Sequence, residues 1–185
     1  MALLILDRDG VINQDSDDFI RSTRDWLPIP GSIGAIAALS RGGFTIAIAT
    51  NQSGLGRGYF TPEALEEIHA ELCRSVEEEG GHIDGIFFCP HRPDQGCNCR
   101  KPATGLLRAI EKALGEPVRG AHFIGDSLKD LQAGEAAGCR PVLVKTGNGE
   151  ATLRKLRAGD SPLERPGAIA VFEDLAAAAR AILEA

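Results

Sequence analysis

Two aspartates, Asp7 and Asp9, follow an apolar run in "LLILDRDG", with a glycine directly after the second. Carboxylates this close repel one another, so their pairing calls for a shared counter-charge. An isolated Asp-x-Asp-Gly reads equally well as a pair of solvated turn acids, because Asp and Gly both favour turns. Three further segments change that balance. "IAIATNQSG" ends in Thr50, Asn51, Gln52 and Ser53, whose hydroxyl and backbone N–H groups suit phosphate oxygens. "CNCRKP" supplies the fixed cations Arg100 and Lys101. "HFIGDSLKD" supplies Asp126 and Asp130 around the start of a helix, where acids also serve as simple caps. Together these groups describe a site that moves a phosphoryl group. Hard Mg²⁺ takes oxygen ligands and keeps several waters, so the carboxylates of Asp7 and Asp126 plus a backbone carbonyl near Asp9 would suffice to hold it. Lys101 and Thr50 would then stabilise charge on the transferring group while Asp7 attacks phosphorus.

A second cluster has different chemistry. "CPHRPDQGCNC" offers Cys89, His91, Cys97 and Cys99, three thiolates and an imidazole, the ligand set of a closed structural zinc site. Such a site would stiffen the loop 89–102 and so place Arg100 and Lys101; the bland alternative is a loop of unrelated buried cysteines. The cysteine total is odd, at 5, which suits a metal site in a reducing compartment better than a disulfide framework. Cys73 and Cys139 read as small buried apolar residues. His69, His82 and His122 read as helix-surface, loop or core residues rather than catalysts. Arg57 is equally suited to a distal phosphate and to closing a turn.

These groups need elements to hold them. Strand-like runs fall at 2–6, 44–50, 85–88, 121–125, 140–144 and 168–172, mostly as near-continuous apolar segments. Helix-like stretches fall between them at 31–40, 62–78, 104–114, 128–137, 151–157 and 175–183. The second shows the signals well: Thr61 can cap it, Pro62 suits its first turn, Leu65, Ile68, Leu72 and Val76 form a stripe, and two glycines end it. Strand and helix alternate, which predicts a three-layer α/β fold with a mainly parallel sheet and helices on both faces. Ligands of such a sheet gather beyond the carboxyl ends of its strands. Segments 89–102 and 159–166 read as loops, and there is no internal repeat.

The 185 residues fit a single domain over 1–185, with no segment long enough for a large cap domain. Hydrophobic residues make up 43% and charged residues 25%, an ordinary globular balance. The net charge of −6 argues against a nucleic-acid partner. No apolar run reaches membrane-spanning length and no secretory signal opens the chain, so the expectation is a cytoplasmic monomer with no membrane partner.

In their order, "LDRDG", "ATNQSG", "RKP" and "GDSLKD" resemble the four motifs of the haloacid dehalogenase superfamily of phosphatases, whose core is Rossmann-like. The resemblance implies that Asp7 is the nucleophile, forming an aspartyl-phosphate. It implies that Asp9 is the general acid for the leaving alkoxide, then the base for the hydrolytic water. Thr50 and Lys101 match the phosphate-stabilising positions, Asp126 the Mg²⁺ ligand, and Asp130 an acid that supports the metal water or the lysine.

Within the superfamily, the zinc loop running into "CRKP" and the stretch "TNQSGLGRGYF" are similar to the D-glycero-D-manno-heptose-1,7-bisphosphate 7-phosphatases. That resemblance implies removal of the C7 phosphate of a small phosphorylated sugar, on the route to nucleotide-activated heptose for bacterial surface polysaccharide. It makes Arg100 a substrate-recognising residue and Asn51, Gln52 and Ser53 substrate contacts. Asp15, Ser16, Asp17 and Asp18 fall in the sugar-contacting segment, where many relatives carry a His-Gly-Tyr-like sequence. Acids there accept hydrogen bonds from sugar hydroxyls but repel a second phosphate, which leaves the anomer and the heptose open. Histidinol-phosphate phosphatases are the alternative: they share the aspartates and the zinc loop but tend to carry an acid at the position of Ser53, which would suit a cationic amine. A zinc-stabilised interaction module without catalysis would not need Asp7, Asp9, Thr50, Lys101 and Asp126 together.

Overall fold

The computed structural model describes residues 2–185. The apolar runs become strands β1 (Ala2–Leu6), β2 (Phe44–Asn51), β3 (Gly85–Cys89), β4 (His122–Gly125), β5 (Arg140–Val144) and β6 (Ala170–Phe172). All pair in parallel within one sheet of order β3-β2-β1-β4-β5-β6. Helices α1 (Ser32–Arg41), α2 (Ser53–Gly56), α3 (Pro62–Glu78), α4 (Gly105–Leu114), α5 (Leu128–Ala137), α6 (Gly149–Arg157) and α7 (Leu175–Leu183) connect and cover them.

Alternation along β1 shows why both faces must be covered. Leu4 and Leu6 point to a core shared with α1, α3 and α7, through Ile36, Ile68 and Leu175. Leu3 and Ile5 point to the other side, toward Leu106, Leu107 and Ile110 of α4. A smaller cluster of Leu131, Leu143, Leu153 and Leu163 fastens α5 and α6 beside it. Parallel strands buried on both faces lose their polar alternation, which is why they read as unbroken apolar runs. The three layers are those the alternation of strands and helices predicts.

The strand order fixes the location of the site. The chain builds outward from β1 through β2 to β3, then returns to the opposite side of β1 to lay down β4, β5 and β6. Connections after β1 and β4 therefore leave in opposite directions and open a crevice at the carboxyl ends of those two strands. Asp7 and Asp126 are the residues that directly follow them.

The structure differs from the sequence reading at a few edges. Ser53–Gly56, which the sequence patterns assign to neither strand nor helix, forms a single helical turn; Gly56 donates its N–H to Pro90 O (3.0 Å), which ties this turn to the loop after β3. The last strand starts at Ala170 because Pro166–Ala168 winds into a 3₁₀ turn. Helix α6 begins two residues earlier than its apolar pattern suggests, at Gly149.

The start of α3 carries a cap of measurable worth. The Thr61 hydroxyl accepts from Ala64 N (3.1 Å), Pro62 occupies the first turn, and Leu65, Ile68, Leu72 and Val76 are buried. Replacing Thr61 by Ala should lower unfolding stability by about 1 kcal/mol in urea denaturation, and Thr61→Ser should recover most of it. An unchanged Thr61→Ala midpoint would show that the cap contributes nothing.

Candidate active site

The crevice is a cleft of about 570 Å³. Every residue predicted for the phosphoryl and sugar sites lines it, except Asp18. Asp18 instead borders a neighbouring groove with Arg21 and Arg24. Arg57 lies outside the cleft, where it ends α2.

Lys101 sits at the floor, 2% exposed. Its ammonium group reaches Asp130 Oδ1 (2.6 Å), Asp7 Oδ1 (2.9 Å) and Ala49 O (2.8 Å), so its three donors meet three acceptors. Burial alone would lower its pKa, but the charges of Asp130 and Asp7 outweigh it and hold the lysine well above its ordinary value. One side chain at the end of β2 fixes its backbone twice. Asn51 Oδ1 accepts from Lys101 N (3.0 Å), and Asn51 Nδ2 donates to Lys101 O (3.2 Å).

The carboxylates of Asp7, Asp126 and Asp130 lie within 4.8 Å of one another, all buried. Burial and the charge of Asp130 push Asp7 well above its ordinary value, against the pull of Lys101. Burial and the same Asp130 charge raise Asp126 to about 7. Asp130 is itself committed: its Oδ2 accepts from Asp126 N (3.2 Å), Ser127 N (3.1 Å) and Ser127 Oγ (2.8 Å). It caps α5 in a reciprocal box with Ser127 while holding Lys101, so the capping and supporting roles belong to one residue. Asp126 Oδ2 accepts from Asn148 N (2.8 Å) and Asn148 Nδ2 (3.2 Å), and the Thr152 hydroxyl holds its carbonyl (2.8 Å). Hard oxygen donors with an excess of negative charge over one lysine fit a divalent cation.

Asp9 faces the same cleft but has different partners. Arg8 Nε donates to its Oδ1 (2.9 Å) and Arg8 Nη2 to its Oδ2 (3.2 Å). Asn13 Nδ2 and Gln52 Nε2 add one bond each, both at 2.9 Å. Burial works to raise the Asp9 pKa, yet the Arg8 charge and these donors outweigh it and hold Asp9 below its ordinary value. Gln52 Nε2 also reaches Thr50 Oγ1 (2.9 Å), so Gln52 braces two predicted catalytic groups. At the rim, Asp15 accepts from Asn148 Nδ2 (3.2 Å).

The sulfur cluster assembles as well. Cys89 Sγ lies 3.1 Å from Cys99 Sγ, 3.6 Å from Cys97 Sγ and 3.4 Å from His91 Nδ1. Thiolates around a tetrahedral zinc stand roughly 3.8 Å apart, given Zn–S bonds of about 2.3 Å, so the four groups fit that ion. Cys89 ends β3, and Arg100 N donates to Cys97 Sγ (3.4 Å), which ties the cluster to the neighbour of Lys101.

Several contributors escaped the sequence reading. Arg8 is fully buried; an arginine between two acids directly after a buried strand was the available signal. Asn148, Thr152 and Thr146 come from beyond the recognised motifs. Thr146 Oγ1 donates to Gly10 O (2.6 Å), which pins the loop after β5 against the loop after β1. Gly10 and Gly147 meet there with φ of +83° and +58°, and a Cβ on either would come within 2.1 or 2.3 Å of Asp126 Oδ2. Gly147→Ala should therefore displace Asp126 and weaken Mg²⁺ binding about tenfold by calorimetric titration. An unchanged affinity would show that this glycine pair does not set the Asp126 position.

Comparison with known proteins gives a consistent set of relatives. A family model for HAD-like hydrolases matches residues 98–178. D-glycero-beta-D-manno-heptose-1,7-bisphosphate 7-phosphatase of Pseudomonas aeruginosa is 53% identical over 183 residues, covering 99% of this chain and 98% of that protein. The crystal structure of D,D-heptose 1,7-bisphosphate phosphatase from Bordetella bronchiseptica, complexed with magnesium and phosphate, superimposes with a TM-score of 0.92 at 48% identity, covering 100% of this chain and 99% of the other. The Burkholderia thailandensis phosphatase of the same name gives 0.75 at 37% identity, with full coverage of both chains. Identity at this level along the whole length, on the same three-layer fold, shows that the chain belongs to the haloacid dehalogenase-like phosphatases, in the D-glycero-D-manno-heptose-1,7-bisphosphate 7-phosphatase family.

Proposed function

We propose that the protein removes the C7 phosphate of D-glycero-β-D-manno-heptose 1,7-bisphosphate through an aspartyl-phosphate on Asp7. The observation that carries the proposal is the convergence of Asp7, Asp126, Asp130 and Lys101 at one crevice, in a chain 53% identical to an enzyme of that name. A carboxylate oxygen of Asp7 forms the new bond to phosphorus as the bond to the C7 oxygen breaks, and Asp9 gives that oxygen its proton. Asp9 then takes a proton from the water that cleaves the acyl-phosphate. The Arg8, Asn13 and Gln52 donors favour ionised Asp9, the form the second half uses. The arriving phosphate dianion works the other way, raising its affinity for the proton that the first half requires. Lys101 and Thr50 stabilise the equatorial oxygens of the transferring group.

Asp7 and Asp126, with the backbone carbonyl of Asp9, are the groups that would hold Mg²⁺. When bound, it offsets the repulsion between Asp7 and the phosphate. Cys89, His91, Cys97 and Cys99 would hold a structural zinc that fixes the loop carrying Arg100 and Lys101, and metal analysis should find about one zinc per chain. The proposed working unit is the monomer. The product would enter the synthesis of nucleotide-activated heptose for bacterial lipopolysaccharide, in the cytoplasm; no helix among the described residues is long and apolar enough to cross a membrane.

A bisphosphate needs cations at two places. Lys101 serves the first, and Arg100, Lys129 and Lys155 line the same cleft. Burial lowers the Lys129 pKa, and the neighbouring charges of Arg100 and Lys101 add to it against the pull of Asp130. Asp15 and Asp17, which line the same cleft, favour the second reading, histidinol phosphate with its cationic amine. Mg²⁺-dependent phosphate release decides between them. Measured side by side on both anomers of heptose 1,7-bisphosphate, histidinol phosphate and fructose 1,6-bisphosphate, kcat/KM should favour the β-heptose by about 100-fold over histidinol phosphate. A preference for histidinol phosphate would overturn the assignment. Asp7→Asn should abolish turnover with zinc retained, and near-normal activity would remove Asp7 as nucleophile.

A further inference from the structure

Arg8 stands between the two aspartates in sequence, yet its side chain is wholly buried. A guanidinium out of water needs acceptors for its donors. Its Nε and Nη2 use both oxygens of Asp9, at 2.9 and 3.2 Å. The remaining arm, Nη1, meets Nε2 of His69 at 3.1 Å. Guanidinium cannot accept a hydrogen bond, so Nη1 donates, Nε2 accepts, and the ring proton sits on Nδ1. Burial and the Arg8 charge hold the His69 pKa down at about 3, which keeps that acceptor free of a proton.

His69 belongs to α3, beside the buried Ile68 and Leu72, and its ring lies 6.0 Å from that of Phe88. Helix α3 contributes no side chain to the cleft. A rigid, packed helix thus grips the far arm of a planar fork whose other arms hold Asp9. Rotation of that fork would carry the Asp9 carboxylate with it.

We propose that His69 is a positioning residue for proton transfer, acting through Arg8 to orient the Asp9 carboxylate toward the leaving oxygen. The proposal rests on Asp9 being the acid, and the experiment separates the two. A sugar alkoxide must be protonated as it leaves, whereas p-nitrophenolate leaves without a proton. Phosphoryl transfer and steady-state turnover are measured on heptose 1,7-bisphosphate and p-nitrophenyl phosphate for wild type, His69→Leu, His69→Asn, His69→Gln and Asp9→Asn. His69→Leu should lose about tenfold in the single-turnover rate on the sugar phosphate, with KM within about twofold, and less than about threefold on p-nitrophenyl phosphate. His69→Gln, whose Oε1 can stand where Nε2 stood, should restore most of the rate. His69→Asn is polar but too short to reach Arg8; it should reproduce the selective loss and serves in place of His69→Leu if that variant does not fold. Equal loss on both substrates, no loss on either, or identical behaviour of the Gln and Asn variants would overturn the proposal. Selectivity in Asp9→Asn without it in the His69 variants overturns the proposal alone. No selectivity in Asp9→Asn overturns the acid role, and the proposal with it.

Discussion

One ammonium group at the floor of a cleft serves two buried carboxylates. Lys101 pairs with Asp7 and Asp130 at 2.9 and 2.6 Å, while Asp126 stands beside them without a cation of its own among the described residues. Removing one member of a buried pair costs on the order of 3–5 kcal/mol, so these groups fix one another. The set is nonetheless undercompensated. Burial and the charge of neighbouring Asp130 raise Asp7 above its ordinary value and push Asp126 up to about 7, so ionising both acids without a further cation is disfavoured. A divalent cation is the natural missing charge, and with it an anionic phosphate can approach an anionic nucleophile.

The rest of the molecule holds this arrangement in place. Strands β1 and β4 end at the switch point, and the ladder between them continues one step beyond β1 as Asp7 N donates to Ile124 O (2.9 Å). Lys101 arrives from the other side of the sheet, on the loop that the sulfur cluster organises, and Asn51 clamps its backbone from the end of β2. Asp130 joins the two roles, since the turn that starts α5 is the turn that positions the lysine's partner. Asp9 is set apart by Arg8, Asn13 and Gln52, so neighbouring acids of one motif occupy opposite electrostatic environments. That separation suits one of them to attack and the other to shuttle protons.

The sequence made the chemistry-bearing residues legible because they directly follow unbroken apolar strands or cluster as soft ligands at short spacing. Asp7 and Asp126 could be picked out for the first reason and the cluster of Cys89, His91, Cys97 and Cys99 for the second, while Lys101 was marked by its place next to that cluster in "CNCRKP". The elements were legible through periodicity, with errors at the ends, where caps and tight turns decide. Long-range contacts were not legible. Thr146 meets Gly10 across 136 positions and Arg8 meets His69 across 61, and no local pattern encodes either. Asn51 and Gln52 were expected to touch substrate; both line the cleft, but their amides brace Lys101, Asp9 and Thr50. The acidic run 15–18 divides: Asp15, Ser16 and Asp17 reach the cleft, while the turn carries Asp18 into the next groove.

In the proposed mechanism this electrostatic arrangement makes Asp7 a nucleophile toward phosphorus. An acyl-phosphate is reduced by borohydride, which converts a phosphorylated aspartate to homoserine. Quenching the enzyme during turnover of heptose 1,7-bisphosphate, treating it with borohydride and sequencing the peptides by mass spectrometry should find homoserine at position 7 and at no other aspartate. Turnover without any such conversion, or conversion at Asp9, Asp126 or Asp130 instead, would contradict the account.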